Sequence, residues 1–295
     1  MPNCLESSRA QTAATHLSDR PRFDSILSNY FDYYHGVNVV NGDVSEEANY
    51  NEIWLKMREE ALVDSEKEPL LSSYYFTSIL SHNSLESALA SQLSIKLSNS
   101  SISTNTLYDI FVAAFKEDRD IVDAVNDDLI QLKAVNRRHT SYVDCFLNVK
   151  GFLACQAQRV AHKLWLEGRR PLALLIQNRV SEIFAVDIHP GANIGRGILL
   201  DHATGVVIGE TTVVGDNTTI FHNVTLGGTG KVSGDRHPKI GDGVIIGAGT
   251  NVLGNVNVGE SSKIGAGSVV LKEVLPRTTA VGNPARLVGE KEKFS

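Results

Sequence analysis

Cysteine, methionine and tryptophan are scarce, at three, two and two among 295 residues. The cysteines, Cys4, Cys145 and Cys155, form no CxxC pair and no metal-ligand spacing. They read as reduced structural thiols, so neither a disulfide framework nor a metal site is expected. An excess of positive charge is also missing: Lys plus Arg at 28 against Asp plus Glu at 34 leaves a net charge of −6. Without a global positive field, nucleic acid and anionic membranes are not expected partners. No apolar run approaches the roughly eighteen residues of a membrane span. The first thirty residues mix Glu6, Asp19 and Asp24 with Arg9, Arg20 and Arg22, unlike a secretory signal or an acid-poor transit peptide, so a cytoplasmic address is expected. What is present is an ordinary globular balance, 42% hydrophobic and 21% charged, in a chain long enough for about two domains.

Residues 1–48 are rich in Ser, Asn and Asp without periodicity and read as a poorly ordered arm. From there to about 185 the apolar spacing is helical, as in Leu85, Ala88, Leu89 and Leu93 or Ile110, Phe111, Ala114 and Phe115. Asn83 or Ser84 can cap one helix, with Glu86 in its first turn, and Thr104 or Asn105 can begin another. This stretch, 49–185, is predicted to be an α-helical domain.

Beyond Val186 the pattern changes, with 17 of the 24 glycines lying between Gly191 and Gly265. Aliphatic residues recur every six positions: Ile188, Ile194 and Leu200; then Ile208, Val214, Ile220 and Leu226; then Ile240, Ile246, Val252, Val258, Ile264 and Val270. A hexapeptide repeat of this kind predicts a parallel β-helix over 186–289, each hexad giving a short strand and a corner. Three hexads close a coil, so residues about 18 apart should stack, about 4.8 Å from coil to coil. A short tail, 290–295, follows.

The repeat breaks twice. Leu200 to Ile208 is eight residues, a slip of two, and Leu226 to Ile240 is 14 rather than six. The second break throws out a glycine-rich loop carrying Lys231, Asp235, Arg236 and Lys239. Regular coils bury their residues, so function is expected at such interruptions.

The segments Val186-Asp-Ile-His-Pro190, Leu200-Asp-His-Ala-Thr-Gly205, Val224-Thr-Leu-Gly-Gly-Thr-Gly230 and Gly234-Asp-Arg-His-Pro-Lys239 resemble the signature of serine O-acetyltransferases. In the helical half, Lys150-Gly-Phe-Leu-Ala-Cys-Gln-Ala157 and Asn178-Arg-Val-Ser181 are similar to the same family, over about 51–289. The resemblance implies an α+β chain, an N-terminal α-helical domain followed by a left-handed parallel β-helix. It implies transfer of acetyl from acetyl-CoA, as co-substrate, to the L-serine hydroxyl, giving O-acetylserine for cysteine biosynthesis. It also implies homotrimers with active sites between neighbours, joined by their helical halves into a dimer of trimers, and feedback by cysteine. The hexad fold alone also serves acetyltransferases for sugars and antibiotics and zinc carbonic anhydrases, so it does not choose the substrate.

Acetyl transfer to an alcohol needs a base, oxyanion donors and juxtaposed reactants. His202 is the expected base, in the segment where the family places its catalytic histidine, with Asp187 fixing its tautomer. Arg236 suits a serine carboxylate through a bidentate fork, Asp201 suits the ammonium, and the resemblance adds His237 to the substrate wall. Gly228, Ala248 and Ala266 are family-matched candidates along the pantetheine arm, with Ala248 and Ala266 one coil apart in a column. With no cysteine in the transferase half, direct attack in a ternary complex is expected. His222 should lie one coil beyond His202. The carbonic-anhydrase alternative would use two such imidazoles plus a third across an interface.

Two departures from the family stand out. Counting back from Lys150 without gaps, the family's Arg-Asp-Pro segment falls on Val135-Asn136-Arg137. Asn136 replaces an aspartate that helps hold serine, so weaker serine binding is predicted, and a weakly active regulatory or assembly paralogue, or an enzyme for another acceptor, is the alternative reading. The chain also ends Lys293-Phe-Ser295 instead of in the family's isoleucine-ended tail. Docking to O-acetylserine sulfhydrylase is therefore doubtful.

Overall fold

Apolar spacing near 3.6 builds the first half, and the computed structural model describes residues 46–135, 141–230 and 233–288. The long helices are α1 (Glu46–Lys67), α2 (Leu85–Leu97), α3 (Thr104–Glu117), α4 (Arg119–Val135), α5 (Tyr142–Asn148), α6 (Lys150–Leu166) and α7 (Arg170–Phe184), with irregular helical turns over 69–80. The first helix thus starts at Glu46, inside the stretch expected as an arm, and the remainder of that arm lies outside the described residues. Ser84 caps α2 in a capping box with Ser87, while Ser103, one residue before the expected start, caps α3. The apolar faces meet in a core that includes Met57, Leu89, Phe111, Leu129 and Phe146. α7 ends at Ala185, whose left-handed conformation turns the chain directly into the first strand.

The strands are β1 (Val186–Ile188), β2 (Asn193–Ile194), β3 (Leu199–Asp201), β4 (Val206–Ile208), β5 (Val213–Val214), β6 (Thr219–Phe221), β7 (Thr225–Gly227), β8 (Lys239–Ile240), β9 (Ile245–Ile246), β10 (Asn251–Leu253), β11 (Asn257–Val258), β12 (Lys263–Ile264), β13 (Val269–Val270), β14 (Thr279–Gly282) and β15 (Ala285–Leu287). They stack as three parallel faces, β1-β4-β7-β10-β13, β2-β5-β8-β11 and β3-β6-β9-β12-β14, and antiparallel β15 closes the last. This is a left-handed parallel β-helix of about five turns.

The six-residue recurrence has a direct cause: Ile188, Leu200, Ile208, Val214, Ile220, Leu226 and the later members of the series point into one shared core, each at 3% exposure or less. Ile194, beside the helices, is the half-buried exception. Burying such a side chain contributes about 1.5–3 kcal/mol against leaving it in water. The stacking period follows the breaks. Val252 pairs with Val270 at 18 residues, Ile188 with Ile208 at 20, and Val214 with Ile240 at 26.

The helices pack onto the first coil. Arg159 of α6 pairs with Asp128 of α4 at 2.7 Å, both buried, and donates to the carbonyls of Ile194 and Gly195. Asp128 in turn accepts from the Ile198 amide at 2.7 Å. This polar staple fixes the corner that leads into β3.

Candidate active site

The two-residue slip is a turn. β3 and β6 pair through Asp201 and Phe221, and β4 and β7 resume through Val207 and Thr225, so the chain spends six steps where the neighbouring coil spends four. The surplus is taken up by His202 and Ala203, both left-handed at φ +57° and +55°, followed by Gly205 at +77°. Two successive side-chain-bearing residues in this region carry backbone strain, of the kind concentrated at functional sites. The effect is to lift His202 out of the wall: its side chain is 51% exposed, while the neighbouring Asp201 carboxylate is 9% exposed and lies 4.0 Å from His202 Nε2.

Asp187 lies on β1, half-buried, and its Oδ1 accepts from Gln177 Nε2 of α7 at 2.6 Å. The His222 ring stands edge-on to that of His202 with centroids 5.8 Å apart, so the two are neighbours along the solenoid as the spacing implied. Ala248 and Ala266 continue the same corner, linked through the Gly249 amide to the His222 carbonyl and the Gly267 amide to the Ala248 carbonyl. Among the described residues no three His, Cys, Asp or Glu side chains are grouped to hold a metal ion.

Arg236, His237 and Gly228 lie at the other end of the β1-β4-β7 face. The His237 ring sits over Gly209, where any Cβ would collide with it. Its Nδ1 accepts from the Thr211 amide at 3.1 Å, which leaves Nε2 as the protonated, donating nitrogen. Burial, reinforced by the Arg236 charge, lowers the His237 pKa below the ordinary histidine value and so favours the neutral ring. His189 is likewise lowered, chiefly by burial. Arg236 donates to Glu210 Oε2 at 3.0 Å and to the Gly234 carbonyl at 3.2 Å, and its aliphatic stem would touch a Cβ at Gly228.

A single chain therefore brings together His202, Asp201, His222, Ala248 and Ala266 at one corner, and Arg236, His237 and Gly228 at another. The three-residue strand β4, Val206–Ile208, separates the corners, roughly 10 Å. Asn136 and Lys231 lie outside the described residues. The spacing did not disclose Gln177 behind Asp187, Glu210 beside Arg236 or Thr211 behind His237. The last two follow a hexad directly, and that position beside an interruption was their only signal.

Comparisons with known proteins bear on the same segments. A family model described as serine acetyltransferase, N-terminal, matches residues 53–157, and the bacterial transferase hexapeptide model matches 237–272. Serine acetyltransferase 3, mitochondrial, of Arabidopsis thaliana is 63% identical over 250 residues, 85% of this chain. The chain belongs to the serine acetyltransferase family. The match spans 64% of that relative's own length. The soybean serine acetyltransferase complexed with serine aligns at TM-score 0.80 and 57% identity, covering 81% of this chain and 98% of the soybean chain. A Brucella abortus serine acetyltransferase in complex with coenzyme A aligns at TM-score 0.80 and 44% identity, covering 81% and 96%. Both interruptions begin before the hexapeptide match and after the helical one, so neither family model covers the His202 turn or Arg236.

Proposed function

We propose that this chain transfers the acetyl group of acetyl-CoA to the hydroxyl of L-serine, with His202 as general base. The observation that carries the reading is the His202 turn, which exposes an imidazole beside a buried carboxylate at a break in an otherwise regular coil. Family membership and the serine and coenzyme A complexes of its relatives support the choice of substrates. His202 takes the serine hydroxyl proton as the oxygen attacks the thioester carbonyl, and the imidazolium returns a proton to the departing coenzyme A sulfur. Asp187, held by Gln177, orients the imidazole. Asp201 attracts the serine ammonium, and Arg236 and neutral His237 take the carboxylate end. Ala248, Ala266 and Gly228 give the pantetheine arm close access to backbone groups.

These groups sit at two corners of one chain, which supports a homotrimer whose neighbours each contribute one corner to a shared site, an arrangement cyclic symmetry repeats three times. Pairing of two trimers through the helical halves and a cytoplasmic address belong to the same proposal. Among the described residues no helix is long and apolar enough to cross a membrane. Asn136 favours one further reading, a weakly active regulatory or assembly member of the family.

The test is release of coenzyme A thiol on adding L-serine, compared with sugars and amines. His202→Ala and His202→Asn should lower turnover about 10²–10⁴-fold with the oligomer intact. Undiminished turnover in these variants removes the base, and no release with any acceptor favours the assembly reading.

A further inference from the structure

The turn that presents His202 is braced from outside the solenoid. Its own bonds are the Thr204 amide to the His202 carbonyl at 2.6 Å and the Val206 amide to the Ala203 carbonyl at 3.1 Å. The end of α7 adds the Gly205 amide to the Ala185 carbonyl, and the next coil adds the Asn223 amide to the Thr204 carbonyl, each at 2.8 Å. A further brace comes from the first residues of α6. Lys150 Nζ donates to Thr204 Oγ1 at 2.5 Å, across 54 residues of sequence. That hydroxyl faces the His202 carbonyl at 3.4 Å. Next to it, Gly151 lies so close to the turn that a Cβ would stand 2.9 Å from Leu200 Cβ and 3.0 Å from Ala203 Cβ, and closer still to the Leu200 carbonyl oxygen. Only glycine lets the helix start this near, and that approach puts the lysine within reach of Thr204.

We propose that Lys150 is a positioning residue for the transfer reaction, acting through Thr204 to lock the strained turn and hold the His202 imidazole on the acceptor hydroxyl. The ammonium polarises the Thr204 hydroxyl, whose proton points along the chain of donors toward the His202 carbonyl. A left-handed pair relaxes readily once a restraint is lost, and a base displaced by a fraction of an ångström is a poorer base although it is still present. The inference rests on His202 being that base.

The experiment compares Lys150→Met, Lys150→Arg, Thr204→Val, Thr204→Ser and the Lys150→Met/Thr204→Val double variant in the full chain. Thermal midpoint and oligomeric state are recorded for each. Lys150→Met and Thr204→Val should each lower kcat about tenfold, with the KM for acetyl-CoA within about twofold of the original. The double variant should be no slower than the slower single, because both cut one link. Lys150→Arg and Thr204→Ser, which restore donor and hydroxyl, should recover most of the rate. Should Lys150→Met not fold, the Thr204 pair and Lys150→Arg decide the matter. Unchanged kcat in both disrupting variants, rate losses that multiply in the double variant, or a Thr204→Ser enzyme as slow as Thr204→Val overturns the inference. His202→Ala is run alongside: if it keeps its turnover, the base assignment has failed, whereas a dead His202→Ala beside a fully active Lys150→Met defeats the Lys150 role alone.

Discussion

Replacing Arg159 with methionine tests whether charge, and not only packing, fastens the helices to the solenoid. The guanidinium is 7% exposed and makes four hydrogen bonds, to Asp128 Oδ2 and the Gly195 carbonyl at 2.7 Å, the Ile194 carbonyl at 3.1 Å and Gln156 Oε1 at 3.2 Å. Burial works against the Arg159 charge, yet the Asp128 carboxylate more than offsets it and raises the arginine pKa. Methionine keeps most of the stem volume and strands Asp128, 1% exposed, among uncharged donors such as the Gln156 amide and the Ile198 backbone amide. Removing one partner of a buried pair costs about 3–5 kcal/mol, a large fraction of the roughly 5–15 kcal/mol that domains possess. At about 2–4 °C per kcal/mol for a chain of this size, Tm should fall by roughly 6–20 °C. Thermal unfolding at fixed protein concentration measures this, since oligomerisation shifts Tm with concentration. Adding Asp128→Asn should restore about half of the loss, because the amide keeps an acceptor for Ile198 without an uncompensated charge. A double variant no more stable than Arg159→Met would refute the electrostatic reasoning and leave the loss to the two orphaned carbonyls and to packing.

Three further outcomes are expected. Gly209→Ala places a Cβ 2.8 Å from His237 Cγ and closer still to Cδ2 and Nε2; displacing that ring should raise the KM for serine about tenfold, one lost hydrogen bond's worth, and leave the KM for acetyl-CoA within about twofold, which initial-rate kinetics with each substrate varied in turn will show. The pKa of His237 is lowered by burial and Arg236, so the unfolded chain takes up its proton first as pH falls; the ring's share of stability is intact above about pH 6.5 and lost below it. His237→Gln should therefore show a smaller fall in Tm between about pH 7.5 and about pH 5.5 than the parent chain does. Burial pushes the thiols of Cys145 and Cys155 up to about 12, so in a Cys4→Ser background an aromatic disulfide reagent at about pH 8 should find no thiolate until the protein is unfolded; rapid labelling of the native chain would contradict that burial.

The solenoid was legible because its rule is one-dimensional. An aliphatic side chain every sixth residue has one place to go when successive coils stack, and the two departures from that rule gave the number of surplus residues at the His202 turn and in the Arg236 loop. Equal spacing also placed Ala248 and Ala266 in one column. The helical half was legible as helix, down to a start at Thr104 and a cap at Ser84, although Ser103, whose hydroxyl caps α3, was not singled out. What sequence spacing left hidden are the joins between the halves. Asp128, Arg159 and Ile198 meet across 70 residues of chain, and Lys150 and Thr204 across 54. Neither set shares a period, and each of these residues read alone as an ordinary helix or turn residue.

Those joins bear on why a hexapeptide solenoid carries a helical half at all. A regular coil satisfies each backbone group from the coil above or below, and its corners repeat with little freedom to aim a side chain. Aiming His202 requires breaking the register by two residues, and the break leaves a left-handed pair that neighbouring coils brace only in part. The helices supply the rest: Gly151 and Lys150 against the turn, Gln177 on Asp187, and the Arg159–Asp128 pair on the corner feeding β3. Each of these contacts falls on the first coil, the one that carries His202 and Asp187. The helical half therefore forms the outer wall of the His202 corner, and the strain that local backbone preference opposes is offset by packing from a part of the chain that the repeat itself does not contain.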